Sequence, residues 1–408
     1  TSHVASGGGE VWRRGEPRTV SRSRGTSAQG SVSKMTSGPA RPANFATAVQ
    51  NWPLPLRAVY NAALEERREA YRKQGVSITK AAQEKSLTEI KRDCPACASV
   101  HTHLLQDVTT RLDRAFRGFF RRVKAGQAPG FPRFKSRDRY NTFTFKDAGR
   151  GNGAAFVAGG KRVRLTGIGN VKVKVHREME GALKTLGVTR DGCGHWYAIV
   201  TREVDPKPLP PTEREVGIDV GLATFAATSD GELIANPRPL ETARLRVERA
   251  QRRVSRRAKG SRRRRKARVL LAKAHAYVRD ARRDFHHKTA RSLVERHDRI
   301  VVEDLNVKGL ARGMLAKSVH DAGWGQFLTI LATKAEDAGR EVVRVNPSGT
   351  SQQCSACGAT VAKSLAVRVH RCPCGYTDDR DVNAARNILR LGQSLRGVAP
   401  TGHRGEPR

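Results

Sequence analysis

Aromatic residues and long apolar runs are both scarce in this chain of 408 residues. Phe, Trp and Tyr make up only 5% of it, which argues against a protein that binds nucleic acid mainly by stacking on bases. No apolar run approaches the roughly 18 residues of a membrane-spanning helix, so we expect no association with a membrane. Hydrophobic residues still form 38% of the chain, which allows two or three domains with cores of their own.

Acidic residues are also few, since 38 Asp and Glu stand against 77 Lys and Arg and give a formal net charge of +39. This excess is far beyond what solubility requires, and a polyanionic partner explains it. The densest basic block, 244–268, contains a single acid, Glu248. The block favours helix apart from an interruption at 259–261, and it repels itself unless an anion neutralises it.

Cysteine is sparse as well, but four of the seven fall in one short segment. They form a CxxC pair and a CxC pair separated by fourteen residues: Cys354, Cys357, Cys372 and Cys374. This spacing favours a structural zinc site, and the glycine after each pair lets the backbone turn back toward the metal. Disulfides are the weaker alternative, because nothing marks the chain for secretion. Ordinary thiols are expected at Cys94, Cys97 and Cys193.

An acidic helix start follows the second cysteine pair. Asp381 shares the i+3, i+4, i+7 and i+8 positions of the following VNAARNIL segment with small and apolar residues, so it lies on the face that packs inward. Asp378 and Asp379 are expected to cap the helix or to face water. In the alternative interpretation Asp381 is only another charge at a helix N-terminus. A carboxylate that points at a core normally needs a partner, which favours a functional role.

Two upstream strands supply candidate partners. In VGIDVG, alternation places the apolar residues on one face and Asp219, between two glycines, on the other. We expect the space beside these glycines to admit a hydrated cation. In RIVVEDLNV, an apolar run typical of a strand covered on both faces ends in Glu303 and Asp304. Alternation aligns Glu303 with Val301 and sends Asp304 to the opposite face.

If they converge, Asp219, Glu303 and Asp381 form an oxygen-ligand site for two magnesium or manganese ions roughly 4 Å apart. Such ions support phosphodiester cleavage, because they activate the attacking water and stabilise charge on the departing oxygen. Any one of these acids alone is more often structural than catalytic. Their order along the chain, strand Asp, strand Glu, cysteine cluster and helix Asp, favours the catalytic interpretation.

These motifs resemble the TnpB family of transposon-encoded, RNA-guided DNA nucleases, which is related to type V CRISPR effectors. The resemblance covers residues 59–391 and is carried by NAALEERREAY, RAFRGFFRRVKAGQAPGFPRFKSR, VGIDVGL, IVVEDLNV, KSVHDAGWGQFL, TSQQCSACG and CGYTDDRDVNAARNI. It implies that Asp219, Glu303 and Asp381 are the metal-binding catalytic acids. The sequence departs from the family pattern in two places. The second cysteine pair is CxC where CxxC is common, and no first strand of the wedge is recognisable before Val59.

The resemblance also implies the fold class, which is α/β with a β-barrel and helical parts. The nuclease core would be RuvC-like, with an RNase H fold and a zinc-ribbon insertion, beside a small wedge β-barrel and a helical recognition region. The expected segments are a disordered basic N-terminus (1–45), the helical recognition region (46–138), the wedge-like barrel (139–210), the RuvC-like core (211–349) with a basic helical insertion (241–297), the zinc ribbon (350–376), the last RuvC-like helix (377–395) and a disordered tail (396–408).

Local patterns support the helical and barrel regions. Apolar residues recur with a helical period over 54–75 and, most clearly, in a stripe that reaches Val123 within 99–124. The GQAPGFPRFKS loop mixes aromatic and basic residues and is either a nucleic-acid contact or a rigid linker. The runs TFTF, KRVRL, VKVKV and WYAIV predict a small antiparallel barrel, and a hairpin is expected after the VGIDVGL strand.

Basic residues on the second helix, the loop and the basic block are candidate nucleic-acid contacts. A solvated helix face, or a nuclear localisation signal in the block, is the alternative; the latter does not account for a position between two candidate catalytic strands. The candidates are Arg111, Arg114, Arg117, Arg121, Arg122, Arg133, Lys135, Arg252, Arg253, Arg256 and Arg257.

The N-terminal segment 1–45 is rich in Ser, Gly and Arg and has no apolar period, so disorder is expected there. The chain begins with Thr1, and its first methionine is Met35. We expect Met35, or a lost upstream codon, to be the true start, with part of this segment a gene-boundary artefact. Detection by mass spectrometry of peptides that precede Met35 would contradict this hypothesis.

The sequence therefore predicts an endodeoxyribonuclease of a transposable element, active in transposition and DNA recombination. Its expected partners are a non-coding guide RNA and double-stranded target DNA, with structural Zn²⁺ and catalytic Mg²⁺ or Mn²⁺, in a prokaryotic-type cytoplasm beside the nucleoid. One alternative is a transposase that joins transposon ends without RNA. A catalytically silent RNA-guided repressor is disfavoured by the three acids, and a structural zinc-ribbon RNA-binding protein leaves Asp219 unexplained.

Overall fold

The computed structural model describes residues 27–36, 53–136, 139–150, 152–157, 159–175, 180–205, 207–364 and 366–395. Its helices are α1 (Pro53–Gln74), α2 (Lys80–Lys85), α3 (Leu87–Asp93), α4 (Pro95–Ala98), α5 (Thr102–Lys124), α6 (Pro239–Thr242), α7 (Arg244–Ser255), α8 (Arg262–Arg296), α9 (Val307–Leu310), α10 (Ala316–Ala322), α11 (Trp324–Asp337) and α12 (Arg380–Ser394). Its strands are β1 (Ser27–Thr36), β2 (Thr142–Phe145), β3 (Ala154–Val157), β4 (Arg162–Leu165), β5 (Gly169–Lys174), β6 (Ala182–Arg190), β7 (Trp196–Val204), β8 (Glu215–Val220), β9 (Thr224–Thr228), β10 (Leu233–Ala235), β11 (Arg299–Glu303), β12 (Glu341–Val345), β13 (Val369–Arg371) and β14 (Thr377–Asp379).

The first sheet has seven antiparallel strands in the order β2-β6-β7-β1-β5-β4-β3. Its short strands fall where the alternating runs predict them, and β6 and β7 form its longest hairpin. Among the described residues no pair joins the edge strands β2 and β3, so the pairing is that of an open sheet rather than of a closed barrel. The predicted barrel is therefore confirmed as an antiparallel sheet but not as a closed one.

Strand β1 corrects the prediction of disorder over 1–45. It lies between β5 and β7 and pairs with both, with Met35 opposite Trp196 on one side and Val173 on the other. A strand that hydrogen-bonds along both edges is held by its backbone, so a sequence without apolar alternation can still form it. This strand precedes Val59, where none was recognised from the sequence. The rest of 1–45 and the tail 396–408 lie outside the described residues.

The helices between β1 and β2 share one hydrophobic core with the first sheet. Leu56 of α1 and Leu104 of α5 are fully buried in the same cluster as Phe143 of β2. The boundary expected at residue 138 therefore does not separate two cores. The apolar stripe of α5 is only partly confirmed, because Phe120 and Val123 are 61% and 49% exposed. The fully buried part of α5 ends at Leu112, and beyond it Phe116 packs only partly against the core, with Arg67 of α1 over its ring.

The second sheet has the order β10-β9-β8-β11-β12. Strands β8, β11 and β12 are parallel, and β9 and β10 form the expected antiparallel hairpin beside them. One face packs on α8 and α11 through buried residues such as Ile218, Val302 and Phe327. The opposite face packs on α12 through Val301 and Ile388. The central strands are thus covered on both sides, as the apolar run before Glu303 predicts.

The basic block forms the antiparallel helices α7 and α8, which meet at a turn around Gly260, where φ is +84°. Ser261 caps α8 by accepting a hydrogen bond from the backbone N–H of Arg264 at 3.1 Å. The 35 residues of α8 span about 50 Å. Its C-terminal half packs on the second sheet, and its N-terminal half forms a small separate core with α7. In the part of the chain that the structure describes, no helix is long and apolar enough to cross a membrane.

Candidate active site and metal centres

The three candidate acids lie on one face of the second sheet. The parallel register places Val302 opposite Ile218, so Glu303 and Asp219 follow at the carboxyl ends of neighbouring strands. Both side chains alternate away from the α8 and α11 layer and toward α12, whose first turn carries Asp381. The structure therefore brings together the three acids chosen from the sequence.

Helix α12 approaches the sheet closely because small residues meet at the contact. A Cβ built on Gly217 would lie 2.1 Å from the carbonyl oxygen of Ala385, and one built on Gly392 would lie 2.4 Å from a methyl group of Val301. The space beside Gly217 is thus occupied by a helix, and the expectation that it admits a cation is wrong. At Gly221 a Cβ would lie 3.8 Å from Oδ2 of Asp381, so this second glycine does adjoin the acids.

Asp219 has the most perturbed carboxyl group of the three. Burial is the largest cause, and together with the charges of Glu303 and Asp381 it raises the pKa of Asp219 to about 8. Burial also raises the pKa of Glu303 and that of Asp381. Among the described residues these acids are not a group whose ligand oxygens all lie within 4.8 Å of one another.

Each of the other two acids has a defined neighbour. Glu303 is only 8% exposed, and its Oε1 accepts a hydrogen bond of 2.6 Å from the hydroxyl of Thr350. Asp381 lies 3.8 Å from a guanidinium nitrogen of Arg368. Asp379 caps α12, since its carboxylate accepts from the backbone N–H groups of Asp381 and Val382. Asp378 does not cap the helix. Its carboxylate forms an ion pair with the guanidinium of Arg386 at 2.7 Å.

The four cysteines form a compact cluster with their sulfur atoms all within 4.8 Å of one another. The Sγ atoms of Cys354 and Cys374 are 3.8 Å apart, and those of Cys357 and Cys372 are 3.5 Å apart. Tetrahedral zinc with bonds of about 2.3 Å requires sulfur separations of about 3.8 Å, so the donor set fits zinc and excludes disulfides. Burial opposes ionisation of Cys354, but the backbone N–H groups of Cys357 and Ala356 lower its pKa to about 6.

The glycines after the two pairs have left-handed φ angles, +79° at Gly358 and +86° at Gly375. Among the described residues, no atom beyond the two adjacent residues lies within 4 Å of a Cβ built at either position. Glycine is therefore favoured there by its backbone conformation, and not by a clash with the metal site.

Two buried asparagines of α12 connect this segment to the acids, and the sequence reasoning missed both. Asn383 donates to the carbonyl of Gln353 at 2.8 Å and accepts from the N–H of Ser355 at 2.8 Å. Asn387 donates to the carbonyls of Thr350 at 2.9 Å and Gln353 at 2.7 Å. Their i, i+4 spacing beside the apolar face of α12 was the available signal, because buried amides need partners.

A second group of potential metal ligands lies in the turn between β6 and β7, where Asp191, Cys193 and His195 offer atoms within 4.8 Å of one another. Asp191 already accepts hydrogen bonds from the backbone N–H groups of Cys193 and His195 and from the hydroxyl of Tyr197. These contacts account for the carboxylate as part of the turn. An ordinary thiol at Cys193 stays a prediction.

The five candidate arginines on α5 fall into two groups. Arg111 pairs with Asp107 at 2.7 Å and donates to Thr144 of β2, so it joins the helix to the first sheet. Arg117 pairs with Asp113, and Arg122 donates to the carbonyl of Gly130. Arg114 and Arg121 are exposed and have no acidic partner within the described residues. Among the described residues Arg122 also has no acidic partner, so Arg114, Arg121 and Arg122 carry charge that no acid neutralises.

The candidate basic residues of the loop and of the basic block also divide into those with a partner in the chain and those that are exposed. Phe131 packs edge-on against Phe119 with ring centroids 5.3 Å apart, and the ammonium group of Lys135 lies over the ring of Tyr60. Arg133 is exposed. In the block, Arg252 lies 3.7 Å from Glu248. The following three arginines are exposed and lack an acidic partner in the described part of the chain: Arg253, Arg256 and Arg257.

The mixed sheet, the helices on its two faces and the cysteine-rich insertion before α12 define a protein of the RuvC-like fold class. Two family profiles match the chain: residues 198–314 match the family OrfB_IS605, described as "Probable transposase", and residues 324–388 match the TNB domain of Cas12f1-like proteins. A protein of Streptomyces pristinaespiralis named as an RNA-guided DNA endonuclease is 36% identical over 347 residues, which cover 83% of each chain. InsQ of Escherichia coli K12, named in the same way, is 30% identical over 322 residues, 74% of this chain and 77% of the relative.

The chain therefore belongs to the TnpB family of RNA-guided DNA endonucleases. The structure of Cas12f1 in a complex with sgRNA and target DNA matches it with a TM-score of 0.56 at 14% identity, over 86% of this chain and 83% of that one. At this identity the likeness concerns the fold, and it confirms the fold class expected from the sequence.

Proposed function

We propose that this protein is an RNA-guided DNA endonuclease, encoded by a transposon, that hydrolyses phosphodiester bonds with the help of two divalent ions. The observation that carries the proposal is the placement of Asp219, Glu303 and Asp381 on one face of the second sheet, with the pKa of each carboxyl raised. Glu303 is buried and Asp219 and Asp381 are half-buried, and such a group of acids is unfavourable unless cations or protons neutralise it. Such a cluster in a member of an endonuclease family supports a metal site.

In this proposal the three carboxylates hold Mg²⁺ or Mn²⁺. Bound ions of this kind supply an activated water and stabilise charge on the leaving oxygen. Burial and the charges of both Glu303 and Asp381 raise the pKa of Asp219. Asp219 must lose its proton to act as a metal ligand. Arg368 limits the orientations of Asp381, and the hydroxyl of Thr350 limits those of Glu303. The four cysteines hold Zn²⁺ as a structural ion.

The proposed partners are a guide RNA and double-stranded DNA. Guide pairing would supply the sequence recognition, and the protein would hold the heteroduplex by its shape and charge while it reads a short flanking motif. The net charge of +39 and the exposed arginines of α7 support this assignment. We place the protein in the cytoplasm of a prokaryotic-type cell, in association with the nucleoid, because its substrate is there.

A transposase that acts directly on transposon ends is the second candidate, favoured by the description of the family that matches residues 198–314. Both candidates use the same acids, so the nucleic acid that the protein carries distinguishes them. We would purify the protein from a host with its native locus and sequence the bound nucleic acid. A discrete non-coding RNA from the edge of the element, which then directs cleavage of matching DNA in vitro, supports the endonuclease. Random fragments, with end joining that needs no RNA, support the transposase.

A further inference from the structure

Thr350 connects the cysteine-rich segment to one of the candidate catalytic acids. Its side chain is 2% exposed, and its hydroxyl donates to Oε1 of Glu303 at 2.6 Å. The same hydroxyl lies 3.1 Å from the carbonyl oxygen of Pro347. A hydroxyl has one proton to donate, and the shorter contact to a charged acceptor is the stronger of the two.

The backbone of Thr350 is itself fixed by α12. Asn387 donates to its carbonyl at 2.9 Å and to that of Gln353 at 2.7 Å. Asn383 binds the carbonyl of Gln353 and the N–H of Ser355, on either side of Cys354. Asp381 lies on the same helix, two residues before Asn383 and six before Asn387. The start of the cysteine-rich segment therefore has one fixed position relative to Glu303 and Asp381.

We propose that Thr350 is a positioning residue that holds Glu303 in its metal-binding orientation. The inference rests on the proposed function, because it assigns Glu303 to the divalent ions. The hydroxyl engages Oε1, and among the described residues no other hydrogen bond to the carboxylate of Glu303 is present, so Oε2 is left for an ion. The zinc-binding segment would thus act on catalysis through Thr350, by fixing an acid that it does not itself contain.

Three substitutions separate this role from a purely structural one. Thr350→Val removes the hydroxyl and keeps the shape, whereas Thr350→Ser keeps the hydroxyl. Thr333→Val is the matched control, because Thr333 is exposed and its hydroxyl donates to the carbonyl of Thr329 in its own helix. If Thr350→Val does not fold, Thr350→Ala removes the same hydroxyl and leaves a smaller side chain.

The readout is Mn²⁺ binding to the zinc-loaded, nucleic-acid-free full chain, measured by electron paramagnetic resonance of free Mn²⁺. Asp219→Ala defines the Mn²⁺ that binds elsewhere on the chain. We expect Thr350→Val to weaken the Asp219-dependent binding by roughly 10- to 100-fold, the usual effect of losing an outer partner of a metal ligand. Thr350→Ser and Thr333→Val should bind as the wild type does, and all variants should keep their zinc.

In guided cleavage under single turnover, Thr350→Val should need a correspondingly higher Mn²⁺ concentration and keep its affinity for DNA. Wild-type Mn²⁺ binding by Thr350→Val, or equal loss in Thr350→Ser, would overturn the inference. Failure of the wild type to cleave any guided DNA would instead overturn the proposed function, and the Mn²⁺ comparison would still decide the role of Thr350.

Discussion

At the residue scale, each candidate acid differs from an acidic neighbour that the chain places elsewhere. Glu303 is buried against Thr350, whereas Asp304, the next residue, is exposed and pairs with Arg344 at 3.1 Å. Asp381 faces the sheet, whereas the carboxylate of Asp379 caps the N-terminus of α12. Asp304 and Asp379 are natural controls, because each has the charge of a candidate acid and lies within two residues of it in sequence, but is not part of the site.

We expect Asp219→Ala, Glu303→Ala and Asp381→Ala each to abolish DNA cleavage and to leave DNA binding largely intact. The loss should exceed the roughly 10- to 100-fold that follows removal of an outer partner, since a direct metal ligand is lost. Asp304→Ala should cut as the wild type does. Cleavage and binding assays with one guide and target make the comparison, and any of the three variants that still cuts is removed from the site.

The raised pKa of Asp219 predicts a pH-dependent stability in protein without free divalent ions. The folded value, about 8, lies above the ordinary value of 3.8, so the fold favours the protonated acid. The stability that protonated Asp219 contributes to the folded state is complete below the unfolded pKa and is lost as the pH rises through about 8.

We therefore expect Asp219→Asn, which stays neutral, to gain melting temperature relative to the wild type between about pH 5 and about pH 8. Asp304→Asn is the control and should show no such gain. Melting curves of zinc-loaded protein in magnesium-free buffer provide the measurement, and parallel curves for Asp219→Asn and the wild type would refute the assignment.

At the element scale, the position of α12 decides whether the acids meet. The helix packs its small residues onto β8 and β11, and its two asparagines hold the cysteine-rich segment. The positions of the two strands, of α12 and of the cysteine-rich segment therefore depend on one another. A substitution at any of these contacts should displace the three acids.

Gly217→Ala should displace α12, because its Cβ would lie 2.1 Å from a backbone oxygen and 2.6 Å from a backbone nitrogen of the helix. We expect the free energy of unfolding to fall by about 1 to 3 kcal/mol and cleavage to fall with it. Gly118→Ala is the control: its nearest neighbour, a flexible Arg122 nitrogen, is 3.7 Å away, and it should stabilise α5 by up to about 1 kcal/mol. Chemical denaturation tests both, and equal stability of the two variants would contradict the packing argument.

Cys357→Ser should lower the zinc content and destabilise the segment around the cluster, since structural zinc in finger peptides stabilises the fold by about 10 to 16 kcal/mol. Cys193→Ser removes a thiol outside the cluster and should leave the zinc content unchanged. Elemental analysis of the purified variants measures both. Full zinc content in Cys357→Ser would show that the cluster does not hold the ion, and a loss in Cys193→Ser would contradict the prediction of an ordinary thiol there.

At the scale of the whole molecule, charge is distributed unevenly between neutralised and free sites. Many basic residues pair with acids of the same chain, as Arg72 does with Glu69 and Lys207 with Glu180. The tip of the α7 and α8 pair is different, because Arg253, Arg256 and Arg257 are exposed and pair with no acid of the described segments. A polyanion gains most where the protein has not already neutralised itself.

Replacement of Arg252, Arg253, Arg256 and Arg257 by Gln should weaken nucleic-acid binding and reduce its dependence on salt. Each lost phosphate contact lowers the slope of log affinity against log salt by roughly 0.9 on duplex DNA. The control replaces Arg72, Lys73, Lys184 and Lys207 by Gln, which removes the same charge from residues that pair with acids. Filter binding over a range of salt concentrations gives the slopes, and equal slopes for the two variants would deny α7 a specific role.

Local pattern was enough to predict much of this protein. The helical period selected Asp381 over Asp378 and Asp379, strand alternation put Glu303 and Asp304 on opposite faces, and cysteine spacing selected the four candidate ligands that the structure brings together. These predictions succeed because side-chain direction in a helix or strand depends only on sequence position. The same local reasoning extended the stripe of α5 too far, because burial of Phe120 depends on what lies opposite.

Only the tertiary structure decided which groups meet across the chain. It placed β1 between β5 and β7, gave the space beside Gly217 to α12, joined Arg111 of α5 to Thr144 of β2, and brought the hydroxyl of Thr350 to Glu303. Contacts between residues distant in sequence follow from how whole elements pack, and no periodicity within one element encodes them. The sequence by itself thus determined which side chains are available at each surface, and packing determined which of them form the site.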